Sequence, residues 1–180
     1  MPESKVGDEF VTHEFDEAIA VHRGIVEAET ALAKSHPHAQ SKTAIAAILK
    51  DDKAYLKELE RLGKQKGATG KVEDVAEGIT ELLESMVKKA GEAPSEAYEA
   101  HAVLLNAKRK QQDSAGGMLR IARALKDTAA RDAAQAFEKG QKASSDQLAD
   151  LLADFAVVIA TAETKAQAME PRGGGARSSR

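Results

Sequence analysis

Apolar and small residues recur at intervals of three and four along most of this chain, which is the pattern of helices that bury one face. One such stripe runs through Ala133, Phe137, Gly140, Ser144 and Leu148. We predict five helices, at about residues 12–34, 41–62, 72–90, 95–126 and 128–169. They form one domain over residues 12–170, preceded by a disordered stretch, 1–11, and followed by a flexible basic tail, 171–180.

The predicted fifth helix is much longer than the first. A helix from Thr128 to Met169 would be roughly 60 Å long, whereas the first would cover about 35 Å. Either the helix breaks at Ser144, where the sequence spells a capping box, or its end overhangs and buries Val158 and Ile159 against a second copy. We favour the overhang, and with it a homodimer, because a continuous stripe needs no reversal.

Gly116 and Gly117 interrupt the predicted fourth helix. Each would cost roughly 1 kcal/mol relative to alanine in a helix interior, yet the apolar stripe resumes in phase at Met118 and Leu119. We therefore predict that the glycine pair lies inside the helix at a point where a neighbouring helix approaches closely. Gly117→Leu should then destabilise the fold through overpacking.

The composition favours an all-helical protein and excludes several functions. Aromatic residues are 3% of the 180-residue chain and tryptophan is absent, which suits closely packed helices better than a sheet. Cysteine is absent too, so thiolate catalysis, disulfides and cysteine-bound zinc or iron–sulfur centres are excluded. A formal net charge of -3 does not favour binding to nucleic acid or to an anionic membrane. Since no stretch is apolar enough to span a bilayer, we expect a cytoplasmic protein with no membrane span.

Four ionisable residues interrupt the apolar stripes and are the candidates for chemistry in a bundle core. They are His22 and Glu29 on the first helix, Asp52 on the second and His101 on the fourth. A buried carboxylate must be paired, hydrogen-bonded or bound to a metal. We expect Glu29 and Asp52 at the edge of the stripe in surface ion pairs, and the alternative is a polar core cluster, of which a metal site is one kind. We interpret the histidines as packed core residues, with metal ligation as the alternative.

Several stretches resemble a known family of helical bundles. Residues 26–32 carry an Ala-Glu-x-x-Leu pattern with Glu29 at the glutamate, residues 44–67 look like a second core helix, and Glu77-Gly78 is similar to a pair in a crossover segment. With residues 114–127 and 142–151 as the last two helices, the chain resembles the YciF-like stress-protein branch of the ferritin-like superfamily. The resemblance implies a ferritin-like antiparallel four-helix bundle with an extra short crossover helix, and a di-iron-type carboxylate site with Glu29 as a ligand.

The chain departs from this family at the positions of the metal ligands. A Glu-x-x-His on the second helix is replaced by Asp51 or Asp52 for the acid and by Ala54 or Tyr55 for the histidine. On the last two core helices, the family's ligand regions fall on Arg-Lys-Gln-Gln at 109–112 and on Lys-Gly-Gln at 139–141. Because a di-iron centre uses about four carboxylates and two histidines, the resemblance implies the scaffold without its oxidase chemistry.

These observations favour a non-enzymatic bundle with a structural or partner-binding role, a degenerate metal site and no cofactor; the resemblance adds a role in stress tolerance. A residual site for iron, manganese or zinc that uses Glu29, Asp52 and either His22 or His101 is the alternative. A second alternative is an alanine-rich amphipathic protein that coats lipid or polymer granules, as phasins do. The basic run at 108–110 is expected to be solvated helix surface, which does not favour nucleic acid binding.

Overall fold

Helices account for the regular structure of the described part of the chain. The computed structural model describes residues 6–71 and 75–169, and no strand lies in these two ranges. The helices in them are α1 (Val6–Ser35), α2 (Ala39–Gln65), α3 (Val75–Lys89), α4 (Pro94–Ala124), α5 (Thr128–Thr161) and α6 (Lys165–Met169). The all-α fold class is therefore confirmed. None of these helices combines the length and the apolar character that crossing a membrane requires.

Four long helices form the bundle. α1 packs against α2 and α4, and α5 packs against the same two helices, so that α2 and α4 lie on a diagonal. Short turns join α1 to α2 and α4 to α5, while the long connection from α2 to α4 carries α3, which packs on α1 and α4. Each bundle helix is thereby antiparallel to both of its neighbours, as predicted for a ferritin-like bundle with an extra crossover helix.

The hydrophobic core of the bundle has two separate parts. One part lies toward the α1–α2 turn, and its buried members include Leu32, Ile45, Leu104, Leu148 and Phe155. The other part lies toward the α4–α5 turn and includes Phe15, Leu62, Met118 and Phe137. Each of the four helices carries a buried polar residue where the two parts meet, and these residues are His22, Asp52, Lys108 and Gln141.

Asp127 caps the start of α5. Its carboxylate accepts a hydrogen bond from the backbone N of Ala130 at 3.0 Å, which satisfies one of the free N–H groups of the first turn. The helix continues through Ser144, so the alternative break at that residue is wrong. The predicted end at Met169 is wrong as well, because α5 ends at Thr161 and α6 follows after a short turn.

The end of α5 is covered by its own chain. Phe155 is fully buried, and Val158 and Ile159 pack partly against the core near the α1–α2 turn. The 34 residues of α5 correspond to about 51 Å, close to the roughly 45 Å of the 30 residues of α1. The overhang that argues for a homodimer is therefore absent, whereas the homodimer itself stays a prediction.

Two helix starts differ from the sequence-based prediction. α1 begins at Val6, so residues 6–11, which were expected to be disordered, are helical. α2 begins at Ala39 with His38 as its N-cap, so that Ser41 lies inside the helix, with its hydroxyl 2.8 Å from Nδ1 of His38. Residues 1–5, 72–74 and 170–180 lie outside the described residues, and with them the predicted start of the third helix and the basic tail.

Gly116 and Gly117 lie inside α4, as predicted, but their surroundings differ. A Cβ atom at Gly116 would lie 3.3 Å from Oε1 of Glu138 on α5, whereas nothing lies within 4 Å of a Cβ atom at Gly117. The expected close approach is therefore wrong for Gly117. A much closer approach is found at Gly140, where a Cβ atom would lie 2.7 Å from Cζ of Tyr55 on α2.

Candidate functional site

A lysine lies in the core of the bundle together with both predicted carboxyl groups. The side chain of Lys108 on α4 has no exposed surface, and its Nζ donates a hydrogen bond to Oε1 of Glu29 on α1 at 3.0 Å. The same nitrogen makes an ion pair with Oδ2 of Asp52 on α2. Glu29 and Asp52 are themselves buried, so the expectation of surface pairs at the edge of the stripe is wrong. The alternative, a polar cluster in the core, is the arrangement observed.

Two further side chains bind Asp52. Gln141 on α5 donates from Nε2 to Oδ1 of Asp52 at 2.6 Å, so that both oxygens of this carboxyl group are bonded. His22 on α1 donates from Nε2 to the backbone carbonyl of Asp52 at 3.0 Å, and the same nitrogen is 3.7 Å from Oδ1. All four bundle helices thus contribute to one buried cluster. We call Glu29, Asp52, Lys108, Gln141 and His22 the polar layer.

The two carboxyl groups of the polar layer have different charge states. Burial raises the pKa of Glu29 to about 9, because the nearby Lys108 offsets only part of the cost of desolvation. Burial acts on Asp52 in the same direction, but the surrounding groups, Lys108 first among them, outweigh it and hold the pKa below its ordinary value. At neutral pH the layer therefore contains an ionised Asp52 and a protonated Glu29. One ammonium group then balances one carboxylate.

His22 is a neutral member of the polar layer. Burial lowers the pKa of His22 to about 4, against the attraction of Asp52. Because a carbonyl oxygen only accepts, Nε2 carries the ring proton, and Nδ1 is left with no hydrogen-bond partner. The ring meets Phe137 edge-on, with the ring centroids 5.1 Å apart. These contacts are those of a packed core histidine.

His101 lies apart from the polar layer, about two helical turns before Lys108 on α4. Its Nδ1 is 3.3 Å from Nε2 of His36, and the rings of His36 and His38 lie 4.9 and 5.5 Å from the ring of Phe155. Burial lowers the pKa of His36 to about 3 and that of His101 to about 4. We call His36, His38, His101 and Phe155 the histidine cluster. The structure thus brings His22, Glu29 and Asp52 together and leaves the fourth predicted site residue in a separate group.

Sequence reasoning does not identify Lys108, Gln141 or His36 as site residues. The expectation that the run at 108–110 is solvated surface is wrong for Lys108, although its neighbour Arg109 is exposed. A signal is present in the spacing, since Lys108 falls one heptad after His101 on the buried face of α4. The residue type conceals this signal, because lysine is almost never fully buried unless it is paired.

The polar layer does not fit a di-iron centre. Two carboxyl groups reach it, and both bond to the ammonium group of Lys108. The donor nitrogen of His22 is bound to a backbone carbonyl, and the α5 position is the amide of Gln141. Among the side chains of residues 6–71 and 78–169, no three His, Asp or Glu residues are grouped so that they could hold a metal ion. A centre that needs about four carboxylates and two histidines cannot be assembled from this set.

Unpaired polar atoms and a cavity adjoin the polar layer. Oε2 of Glu29 and Oε1 of Gln141 are buried and have no hydrogen-bond partner. A cavity of about 170 Å³ lies between α2 and α5 and is lined by Asp52, among others. Gly140 and Tyr55 line the same cavity, and the missing side chain at Gly140 allows the tyrosine ring to approach α5. The layer therefore has unsatisfied oxygens in its interior and a cavity beside it that is partly lined by Asp52.

Comparison with known proteins identifies the fold. No family model matches the chain, and no curated protein matches it in sequence. Among solved structures the chain is similar to the E. coli stress protein YciF, with a TM-score of 0.71 and 15% sequence identity over 84% of this chain and 97% of that chain. The fold is ferritin-like. At this sequence identity the likeness shows the fold alone. The chemistry of the protein depends on the side chains of the polar layer.

Proposed function

We propose that this protein is a non-enzymatic ferritin-like bundle with a structural or partner-binding role, in which a lysine supplies the positive charge that metal ions supply in a di-iron centre. The observation that carries the proposal is the position of Lys108, whose buried ammonium group bonds to both Glu29 and Asp52. A buried carboxyl group needs either a cation or a proton. In the polar layer Lys108 balances Asp52 and a proton neutralises Glu29, so the layer needs no metal ion for its stability.

The contacts of the polar layer argue against catalysis by its residues. Lys108 and His22 have no exposed surface, and each is held by other groups of the protein. The ring proton of His22 is donated to a backbone carbonyl, so this side chain is not free to act as a general acid toward a substrate. Rigid, mutually bonded side chains of this kind are typical of a structural core.

A role in stress tolerance is supported by the likeness to the stress protein YciF, which is a likeness of fold. A preformed bundle is favoured over a coat on lipid or polymer granules, because the apolar stripes of the described helices are buried against one another. Such a bundle should be fully helical in buffer and should melt cooperatively. Helicity that rises sharply when vesicles or a polymer surface are added would favour the coat instead.

Partner binding is supported by exposed apolar side chains at one end of the bundle. Val6 and Phe10 at the start of α1 and Leu125 after α4 are exposed apolar side chains, and the antiparallel arrangement places them at the same end of the bundle. A homodimer is the simplest partner arrangement. Light scattering at tens of micromolar protein tests it, and a monomer under these conditions would leave a different protein as the partner.

Residual binding of iron, manganese or zinc is the second candidate, and the unpaired Oε2 of Glu29 is the observation that favours it. Metal analysis of protein purified without a chelator separates the two candidates. We expect far less than one metal ion per chain, both in the wild type and in the Glu29→Ala variant. Near-stoichiometric metal that is lost in Glu29→Ala, and retained in the control Glu17→Ala on the same helix, would refute the proposed function.

A further inference from the structure

We infer that the ammonium group of Lys108 occupies a divalent-cation position of this bundle, so that one substitution at this residue opens a metal site between α1, α2 and α5. The inference rests on the proposed function in one respect, namely that the wild-type polar layer carries no metal ion. It adds the position of the site, its ligand atoms and the group that excludes the metal.

The position follows from the contacts of Nζ. The ammonium group is bonded to Oε1 of Glu29 and to Oδ2 of Asp52, which come from two adjacent helices of the ring. Two carboxyl oxygens from different helices that meet at one buried point are part of the ligand set that divalent cations use in a bundle core. At this point the protein supplies a positive charge of its own, attached to α4.

The ligand atoms are oxygens that are already present. Oε2 of Glu29 and Oε1 of Gln141 are fully buried and unpaired, and the amide of Gln141 is held against the layer by its bond to Oδ1 of Asp52. Carboxylate and amide oxygens are hard ligands that suit Mn²⁺. A carboxylate introduced at residue 108 would add a third acidic ligand from α4.

A cavity adjoins the polar layer on the α2–α5 side. It has a volume of about 170 Å³ and is lined by Asp52, Tyr55, Gly140 and Ser144. A cation at Asp52 would meet the ammonium group of Lys108, which pairs with the same carboxyl group. Repulsion by this charge opposes the binding of a cation in the wild type.

The test is a titration with Mn²⁺ of the full chain in four forms. These are the wild type, Lys108→Glu, Lys108→Glu combined with Glu29→Ala, and the matched control Lys110→Glu. Lys110 lies on the same helix and also pairs with a glutamate of α1, Glu17, but this pair is partly exposed. Bound Mn²⁺ is measured by electron paramagnetic resonance and isothermal titration, and the melting temperature is measured with Mn²⁺ and with a chelator.

We expect Lys108→Glu to bind one Mn²⁺ per chain with an affinity more than about tenfold above that of the wild type. Its melting temperature should rise when Mn²⁺ replaces the chelator. The control Lys110→Glu should behave as the wild type does, and Glu29→Ala should abolish the gained binding. A folded Lys108→Glu variant that binds Mn²⁺ no better than the wild type would overturn the inference.

The variant Lys108→Met keeps the test decisive if Lys108→Glu does not fold. Lys108→Met keeps an unbranched side chain, one heavy atom shorter, and removes the charge without adding a third carboxylate. If Lys108→Glu does not fold even with Mn²⁺ present, Lys108→Met must bind Mn²⁺ more tightly than the wild type, and an unchanged affinity overturns the inference. A wild type that is purified with metal at Glu29 would refute the proposed function and this inference together, whereas an absent gain in both variants refutes the inference alone.

Discussion

Nζ of Lys108 lies 3.0 Å from Oε1 of Glu29, although the two residues are 79 positions apart and neither side chain has any exposed surface. Together with the ion pair to Asp52, this contact joins α1, α2 and α4 in the middle of the bundle. A charge taken out of water in this way is tolerated only while its partners are in place. Removal of either charge of the Lys108–Asp52 pair should therefore destabilise the fold.

Lys108→Met should lower the free energy of unfolding by about 3–5 kcal/mol, because it leaves the ionised Asp52 buried without its cation. The control is Lys110→Met, which removes a lysine whose pair with Glu17 is partly exposed and which should cost about 1 kcal/mol or less. Urea unfolding at pH 7 with a chelator present measures both. Equal losses in the two variants would contradict the central role assigned to Lys108.

Glu29→Gln and Asp52→Asn should differ at pH 7 although both replace a carboxyl group by an amide. Glutamine mimics the protonated Glu29, so this variant should lose less than about 1 kcal/mol. Asparagine removes the carboxylate that balances Lys108, and the loss should be about 3–5 kcal/mol.

The same pair of variants tests the alkaline pH dependence. Because the pKa of Glu29 is raised to about 9 in the folded protein, its contribution to stability is complete below its ordinary value of 4.5 and is lost as the pH rises toward 9. Glu29→Gln should remove this part of the decline between pH 6 and pH 9, as measured by urea unfolding. A decline that persists unchanged in the variant would show that Glu29 is ionised in the folded protein.

Acid should destabilise the protein through its buried histidines. The pKa values of His22, His36 and His101 are lowered to about 4, 3 and 4, so the unfolded chain takes up protons first as the pH falls below 6.5. Stability from these groups is complete above pH 6.5 and is lost as the pH falls toward 4, at about 1.4 kcal/mol per pH unit for each fully titrating group. His101→Gln should reduce this slope, whereas His13→Gln, at an exposed residue of α1, should leave it unchanged.

Two glycine substitutions should change the free energy of unfolding in opposite directions. Gly117→Ala should raise the free energy of unfolding by about 1 kcal/mol, because α4 gains helix propensity and a Cβ atom meets nothing within 4 Å. Gly140→Ala should lower it by about 1–3 kcal/mol, because a Cβ atom there would displace the ring of Tyr55. In the background Tyr55→Ala the cost of Gly140→Ala should disappear, and a cost that remains would place the obstruction elsewhere.

Phe155→Ala should cost about 3–5 kcal/mol, because this ring fills the core beside His36 and His38. Val157→Ala is the control from the same turn of α5, and its exposed side chain predicts a change within about 0.5 kcal/mol. Chemical unfolding of both variants is the measurement. A small effect of Phe155→Ala would mean that the end of α5 is not part of the cooperative core.

The helices and their order were predictable because they depend on repeated features of the sequence. The three-and-four spacing identifies the four bundle helices, and Asp127 marks the start of α5 through its side-chain cap. The end of α5 shows where such signals become ambiguous. A capping box is spelled both at Ser144 and at Thr164, and only the second is used, with Oε1 of Gln167 accepting from the backbone N of Thr164 at 3.1 Å. At the first site the neighbouring Leu148 is buried in the core, which keeps the helix intact.

The polar layer was predictable only in part, because its members depend on one another. Glu29 and Asp52 stand out as acids on apolar stripes, but their burial is acceptable only if a cation meets them. That cation comes from a helix more than fifty residues away along the chain, and its sequence neighbours Arg109 and Lys110 suggest a basic surface. When each helix is considered alone, each of these charges is expected to face solvent. In the folded chain the charges pair with one another instead.

The polar layer between the two parts of the hydrophobic core also fixes the register of the helices. A stack of leucine and alanine tolerates a slide of one helix along another by one turn, about 5.4 Å, because one apolar contact replaces another. In this bundle such a slide of α4 along α1 would move the ammonium group of Lys108 from Glu29 to Ile25 or Ala33. The charge would then face hydrocarbon at a cost of several kcal/mol. One buried lysine thereby selects a single alignment from several that the apolar stripes alone would allow.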